Sequence, residues 1–138
     1  QGSEPGQFAV PHDLAIDSSG RIFVGDRGNN RVQIFDQDGN FIKEWPQFGR
    51  PSGLFIDDND MLYVTDSSSE NRGPTGSPNN SSPYAEGVRV ASVKDGSVTL
   101  FLDDPHENGS QEGIVVDKAG TIYGTLTAGR ALRKYLLR

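Results

Sequence analysis

Apolar residues in this chain fall into short β-branched and aromatic runs separated by tight polar turns. Residues 11–17, 51–57 and 111–117 read alike. In each, an apolar triplet (Leu14-Ala15-Ile16, Leu54-Phe55-Ile56 or Ile114-Val115-Val116) runs into an aspartate, Asp17, Asp57 or Asp117. A three-residue turn follows each aspartate (Ser18-Ser19-Gly20, Asp58-Asn59-Asp60, Lys118-Ala119-Gly120), and then a second β-rich run begins at Arg21, Met61 or Thr121. Short runs of this kind joined by polar turns predict β-hairpins.

The first unit goes on to a third run, Arg31–Phe35, and a fourth, Phe41–Trp45, separated by the turn Asp36-Gln37-Asp38-Gly39-Asn40. Four strands in about 40 residues is the size of one blade of a β-propeller. The second unit supplies Val88–Val93 and Val98–Leu102, and the third supplies Ala131–Tyr135. The chain is therefore expected to be all-β, forming three blades, or half, of a six-bladed ring. The blades span approximately 8–46, 47–104 and 105–138, and the last lacks its fourth strand.

Spacing refines the picture. Asp17 and Asp57 are 40 positions apart, but Asp57 and Asp117 are 60 apart. The excess lies in residues 67–86, where 14 of 20 positions are Ser, Asn, Pro or Gly, a composition that predicts an inserted loop without strands. Residues 1–8 read as an interblade linker, since their Gly and Pro make a poor strand. Three blades cannot close a ring, and an uncovered strand edge is a liability. The expected partner is thus either the N-terminal half of a longer propeller or a second copy of the chain related by a two-fold axis.

Composition narrows the function classes. Only 33% of residues are hydrophobic, with 17 Gly and 8 Pro, as suits a turn-rich β protein. The net charge of −6 argues against a nucleic-acid partner, and no stretch approaches the roughly 20 apolar residues of a membrane span. Cysteine is absent, which removes thiol nucleophiles and thiolate metal sites, and no Gly-x-Ser-x-Gly motif suggests a serine hydrolase. The chain opens on Gln1 without a signal-peptide pattern. That fits a mature secreted or periplasmic form or an excised piece, and it leaves the compartment open.

The first unit carries Gly6-Gln7-Phe8-x-x-Pro11, Leu14-Ala15-Ile16-Asp17, Gly20-x-Ile22-Phe23-Val24 and the run Asp26 to Phe35. These segments resemble the NHL family of β-propellers. Residues 47–57, Lys94-Asp95-Gly96-Ser97-Val98-Thr99 and Arg130-Ala131-Leu132-Arg133-Lys134-Tyr135 are similar to the C-terminal half of bacterial peptidyl-α-hydroxyglycine α-amidating-lyase-like members. The resemblance implies a zinc ion held by three histidines in the central channel and a structural calcium nearby. It also implies a small peptide-like substrate, a peptidyl-hydroxyglycine cleaved to a peptide amide and glyoxylate. One family zinc ligand sits in a Pro-His motif that His12 matches, whereas the position expected for another holds Asn80-Ser81-Ser82-Pro83-Tyr84. The family's catalytic Tyr and Arg belong to blades this chain does not contain. A non-catalytic binding scaffold built on the same propeller is the alternative.

Within this frame His12 is the leading metal ligand, with the alternative that it hydrogen-bonds a neighbouring blade. Ser52 and Glu112 occupy the matching positions of the other units, so all three should project near one rim, and Glu112 would add a carboxylate ligand. Tyr84 is expected either to cap the channel mouth or to anchor the insertion. His106 lies in a polar interblade loop whose carboxylates offer a weak calcium reading against a plain surface histidine. Asp26 and Arg31 are expected to pair structurally, and Trp45 to pack between blades.

Overall fold

The computed structural model describes residues 1–67, 69, 84–104, 111–127 and 129–136. Among the described residues eleven strands form three antiparallel sheets. The first sheet contains β1 (Pro11–Ile16), β2 (Ile22–Asp26), β3 (Arg31–Phe35) and β4 (Phe41–Trp45), hydrogen-bonded in sequence order. The second contains β5 (Pro51–Ile56), β6 (Met61–Asp66), β7 (Gly87–Ser92) and β8 (Val98–Asp103), also in sequence order. The third has three strands, β9 (Gln111–Val116), β10 (Ile122–Leu126) and β11 (Ala131–Tyr135). The only helical piece among the described residues is a 3₁₀ turn at Arg27–Asn29. Each sheet is a meander, as in a propeller blade, so the expected all-β partial propeller is what the chain forms.

Local chemistry explains the turns. After β1, the Asp17 carboxylate accepts the backbone N–H groups of Ser19 (3.1 Å) and Arg21 (2.8 Å), folding the chain back into β2. Asp57 and Asp117 do the same in their blades, at 2.9 Å throughout. The recurring aspartate of the sequence repeat is thus a turn-forming residue whose side chain replaces backbone partners.

Blades pack face to face through two apolar clusters. Phe23, Val32, Ile34 and Trp45 of the first blade meet Leu54, Leu62, Val64, Ala91 and Val93 of the second, with Phe48 of the linker between them. Trp45 lies between blades as expected. Tyr63, Val88 and Val90 of the second blade meet Val116 and Ile122 of the third. Strand alternation sends the intervening side chains the other way. Leu14 and Ile16 face outward from the first blade (both 58% exposed), and Val115 and Leu132 face outward from the third (50% and 69%). By repeat position Leu14 and Ile16 correspond to Leu54 and Ile56, which are packed against the first blade.

The segment before β1 forms no strand, in keeping with its reading as a linker. Arg31, almost fully buried, holds it by donating to the carbonyls of Ser3 (2.8 Å), Glu4 (3.2 Å) and Gln7 (2.8 Å). The same guanidinium pairs with buried Asp26 at 3.1 Å, the structural pair expected from sequence.

Candidate functional site

The site is built at the start of the innermost strands. β1 and β5 lie side by side, as do β5 and β9. Every inner strand carries a register irregularity at its first residues. Pro11 pairs with Asp26 and Asp13 with Gly25, leaving His12 as an extra residue. Pro51 pairs with Asp66 and Leu54 with Val64, so Ser52 and Gly53 stand opposite Thr65 alone. Gln111 pairs with Leu126 and Gly113 with Thr125, leaving Glu112 extra. A β-bulge breaks the alternation of side chains and re-aims the residue it contains. Here it does so at equivalent places in all three blades, and those places hold His12, Ser52 and Glu112.

Close backbone approach brings the three together. A Cβ on Gly53 would run into the Glu112 carbonyl oxygen, so only glycine lets β5 and β9 come this near. Thr65 bridges the same gap, accepting from the Gly53 N–H (2.6 Å) and donating to the Glu112 carbonyl (3.3 Å).

His12 bridges blades in a defined way. Its Nδ1 lies 2.8 Å from the Ser52 carbonyl oxygen, which only accepts, so Nδ1 carries a proton. Its Nε2 lies 3.5 Å from Oε2 of Glu112. In the neutral ring Nε2 turns its lone pair toward another acceptor, a pair of ligand atoms that a metal ion bridges. Glu112 Oε2 has no hydrogen-bond partner among the described residues, although it is buried. Its Oε1 accepts the Ser67 hydroxyl at 3.2 Å, and Ser67 in turn lies 2.5 Å from the Ser52 hydroxyl. Arg27 completes the surroundings, with Nη1 3.6 Å from Oε2 of Glu112.

The donor set fits zinc in part. Two ligands on one tetrahedral zinc, with bonds of about 2.0–2.2 Å, stand about 3.4 Å apart, close to the spacing seen here. The proton on Nδ1 held by a carbonyl is also the usual outer support of a metal-ligating histidine. Among the described residues, however, no group of three or more His, Cys, Asp or Glu converges. Further zinc ligands would have to come from outside the described residues, and among the described residues no carboxylate cluster suits calcium.

Tyr84 lies over the guanidinium of Arg89, 5.2 Å from its ring centroid, while Phe101 covers Arg89 at 4.8 Å. Arg89 also donates to the Ala85 carbonyl at 2.7 Å and stands 3.6 Å from Asp66, tying residues 84 and 85 to the second blade. His106 and most of the 67–86 insertion lie outside the described residues.

Arg27 and Ser67 were not anticipated as site residues. The signal was present: each directly follows the aspartate that ends a second strand, Asp26 or Asp66, at the same 40-residue offset that relates His12 to Ser52. Arg50 adds a second guanidinium, almost fully buried and donating to Asn30 Oδ1 at 3.2 Å. Burial first, and then the like charge of Arg27, weakens its hold on its proton, with Asp66 opposing both.

Comparison with known proteins agrees with this architecture. Residues 8–35 match the NHL repeat. The chain is 40% identical over 68 residues to human NHL repeat-containing protein 3, covering 46% of this chain and 20% of that protein. It is 37% identical over 75 residues to peptidyl-glycine alpha-amidating monooxygenase B of Xenopus laevis, covering 46% of this chain and 9% of that one. The chain thus spans a fifth or less of the length of these relatives. Among solved structures, a virginiamycin B lyase from Staphylococcus aureus superposes with a TM-score of 0.62 at 16% identity. That match covers 92% of this chain and 41% of the lyase, and at such identity it speaks to the propeller fold alone.

Proposed function

We propose that this chain is half of a six-bladed NHL-type propeller whose central channel holds a divalent metal, zinc by preference, at His12 and Glu112. The site would be lyase-like and competent only once further blades complete the ring. The observation that carries this reading is the His12–Glu112 pair: a histidine nitrogen facing a carboxylate oxygen at 3.5 Å, with the opposite ring nitrogen tied to Ser52. The exposed apolar faces on the first and third blades support ring completion, because their equivalents elsewhere in the chain are buried against another blade. Likeness to a peptidyl-glycine alpha-amidating monooxygenase supports a peptide substrate of the amidating kind, for which the family resemblance implies a peptidyl-α-hydroxyglycine.

When bound, the metal would act as a Lewis acid on a substrate oxygen. The chain's own residues would do the rest. His12 and Glu112 hold the ion, the Ser52 carbonyl fixes the histidine tautomer, and Ser67 orients the carboxylate through Oε1. A specific observation favours a second reading, that of a non-catalytic binding scaffold: Arg27 already places a positive charge beside Glu112.

An assay separates the two. The chain, in the assembly it adopts in solution and supplied with zinc, is mixed with a peptidyl-α-hydroxyglycine while glyoxylate is followed. Zinc-dependent glyoxylate release that His12→Ala abolishes supports the lyase reading. Zinc uptake at His12 without glyoxylate leaves the metal site standing and favours the scaffold.

A further inference from the structure

We infer that the cleft between the second and third blades, at the turn ends of β5 and β9, binds a free α-amino acid with an apolar side chain. The cleft measures about 270 Å³ and lies at the opposite end of the inner strands from His12 and Glu112. Pockets for drug-sized ligands begin at roughly 300 Å³, so the occupant is a smaller molecule. Phe55 and Val116 give the cleft apolar walls, and Asp57, Asp58, Asp117 and Lys118 line it beside them.

The junction between the first and second blades indicates what the cleft accepts. There Asp60 crosses from the second blade, and its carboxylate accepts the Ser18 backbone N–H and hydroxyl. One junction on, repeat position puts Asp58 in the place of Ser18 and Gly120 in the place of Asp60. A Cβ on Gly120 would meet nothing within 4 Å, so the space that the Asp60 side chain fills in one junction is open in the next. The Asp58 N–H makes no hydrogen bond among the described residues. The open position therefore suits a carboxylate that accepts from Asp58, with the Lys118 ammonium lining the same cleft.

Charge decides what else the occupant carries. Asp57 and Asp117 commit their carboxylates to their own turns, each accepting two backbone N–H groups and a tyrosine hydroxyl. The Asp58 carboxylate and the Lys118 ammonium pair neither with each other nor with any other group among the described residues. Three carboxylates outnumber one ammonium, so a bare anion is repelled, whereas a bare cation leaves Lys118 and the Asp58 N–H unmatched. A zwitterion answers both. Its ammonium pairs with the Asp58 carboxylate, its carboxylate meets Lys118 and the Asp58 N–H, and its side chain lies on Phe55 and Val116. Asp58 presents donor and acceptor on one residue, as an α-amino acid carries its own two charges on one carbon.

The test uses the whole chain with a chelator present, so that zinc plays no part and failure of the metal reading leaves it untouched. Leucine is titrated at constant ionic strength while the backbone amides of Asp58 and Gly120 are followed by ¹⁵N NMR. In parallel, 4-methylpentanoate supplies the carboxylate without the ammonium, and 3-methylbutylamine the ammonium without the carboxylate. The expected result is a saturable shift with leucine, and binding at least about tenfold weaker for each single-charge analogue. Gly120→Asp, which shares the left-handed backbone of Asp60 (φ 81° and 58°), should fill the cleft and weaken leucine at least about tenfold. No saturable shift with leucine, equal affinity for either analogue, or unchanged affinity in a folded Gly120→Asp would overturn the inference. Should Gly120→Asp not fold, Lys118→Ala and Asp58→Asn, at exposed side chains, take its place, and unchanged affinity in either overturns it equally.

Discussion

Asp60 of the second blade reaches the first, where its carboxylate accepts the Ser18 backbone N–H at 2.9 Å and the Ser18 hydroxyl at 2.5 Å. It does so from a left-handed backbone conformation (φ 58°), at the turn position where the other blades have Gly20 and Gly120. Left-handed backbone costs a non-glycine residue about 1 kcal/mol, and this interblade tie offsets it. Asp60→Ala keeps the strain and loses the tie, so urea unfolding should show a loss of about 1–2 kcal/mol. Asp60→Gly loses the tie but also the strain, and its midpoint should fall between Ala and wild type. An Ala variant as stable as wild type would show that the tie contributes nothing.

Asp26 is fully buried and accepts from the Ala9 N–H (3.0 Å), Asn29 (2.7 Å), Arg31 (3.1 Å) and Gln33 (3.3 Å). Its loss removes the buried counter-charge of Arg31, leaving the more exposed Glu44 at 2.6 Å as its carboxylate partner, and takes away the acceptor of the Ala9 N–H, so Asp26→Leu should cost about 3 kcal/mol. The third blade already carries the apolar version, with Leu126 opposite Ala131 in the matching register. The double variant Asp26→Leu with Arg31→Ala should therefore lose less than the sum of the two single changes. A strictly additive double-mutant cycle in chemical denaturation would contradict coupling between the two.

Stability should fall in acid for a traceable reason. Burial pushes the Asp17 carboxyl up, but hydrogen bonds from Ser19 and Arg21 and the Arg21 charge outweigh it and hold the group below its ordinary range. Asp117 is held low chiefly by the Thr121 backbone N–H, and Asp36 by the side chain and backbone of Asn40. Unfolded, such carboxyls titrate near 3.9. A folded value below the unfolded one stabilises the fold above the unfolded value, and this contribution disappears as pH falls through the folded value. The urea midpoint should thus begin to drop below about pH 4, and less steeply in Asp17→Asn. An unchanged slope in that variant would remove Asp17 from the explanation.

Much of the fold was legible in the sequence because its signals are local. The aspartate-led turns and apolar triplets of residues 11–17, 51–57 and 111–117 set strand and turn within a few residues, and Trp45 was placed between blades by position alone. The candidate site was legible only as far as the repeat reaches. Equivalence of His12, Ser52 and Glu112 put them at one rim, but the contact of His12 with Glu112 depends on bulges and on the close approach of β5 and β9 at Gly53. Those arise from pairing between strands far apart in sequence, and the nearness of Arg27 to Glu112 is hidden in the sequence for the same reason. Only the 3₁₀ turn at Arg27–Asn29 sets that guanidinium 3.6 Å from Glu112.

Zinc affinity tests the central claim most directly. The whole chain, in its solution assembly, is titrated with zinc against a competing chromophoric chelator, alongside His12→Ala and Glu112→Gln. Wild type is expected to take up zinc, and each variant to bind at least about tenfold more weakly, since removing a ligand or its support typically costs 10–100-fold. Zinc binding that is absent in wild type, or equal in all three proteins, would contradict a metal site at His12 and Glu112.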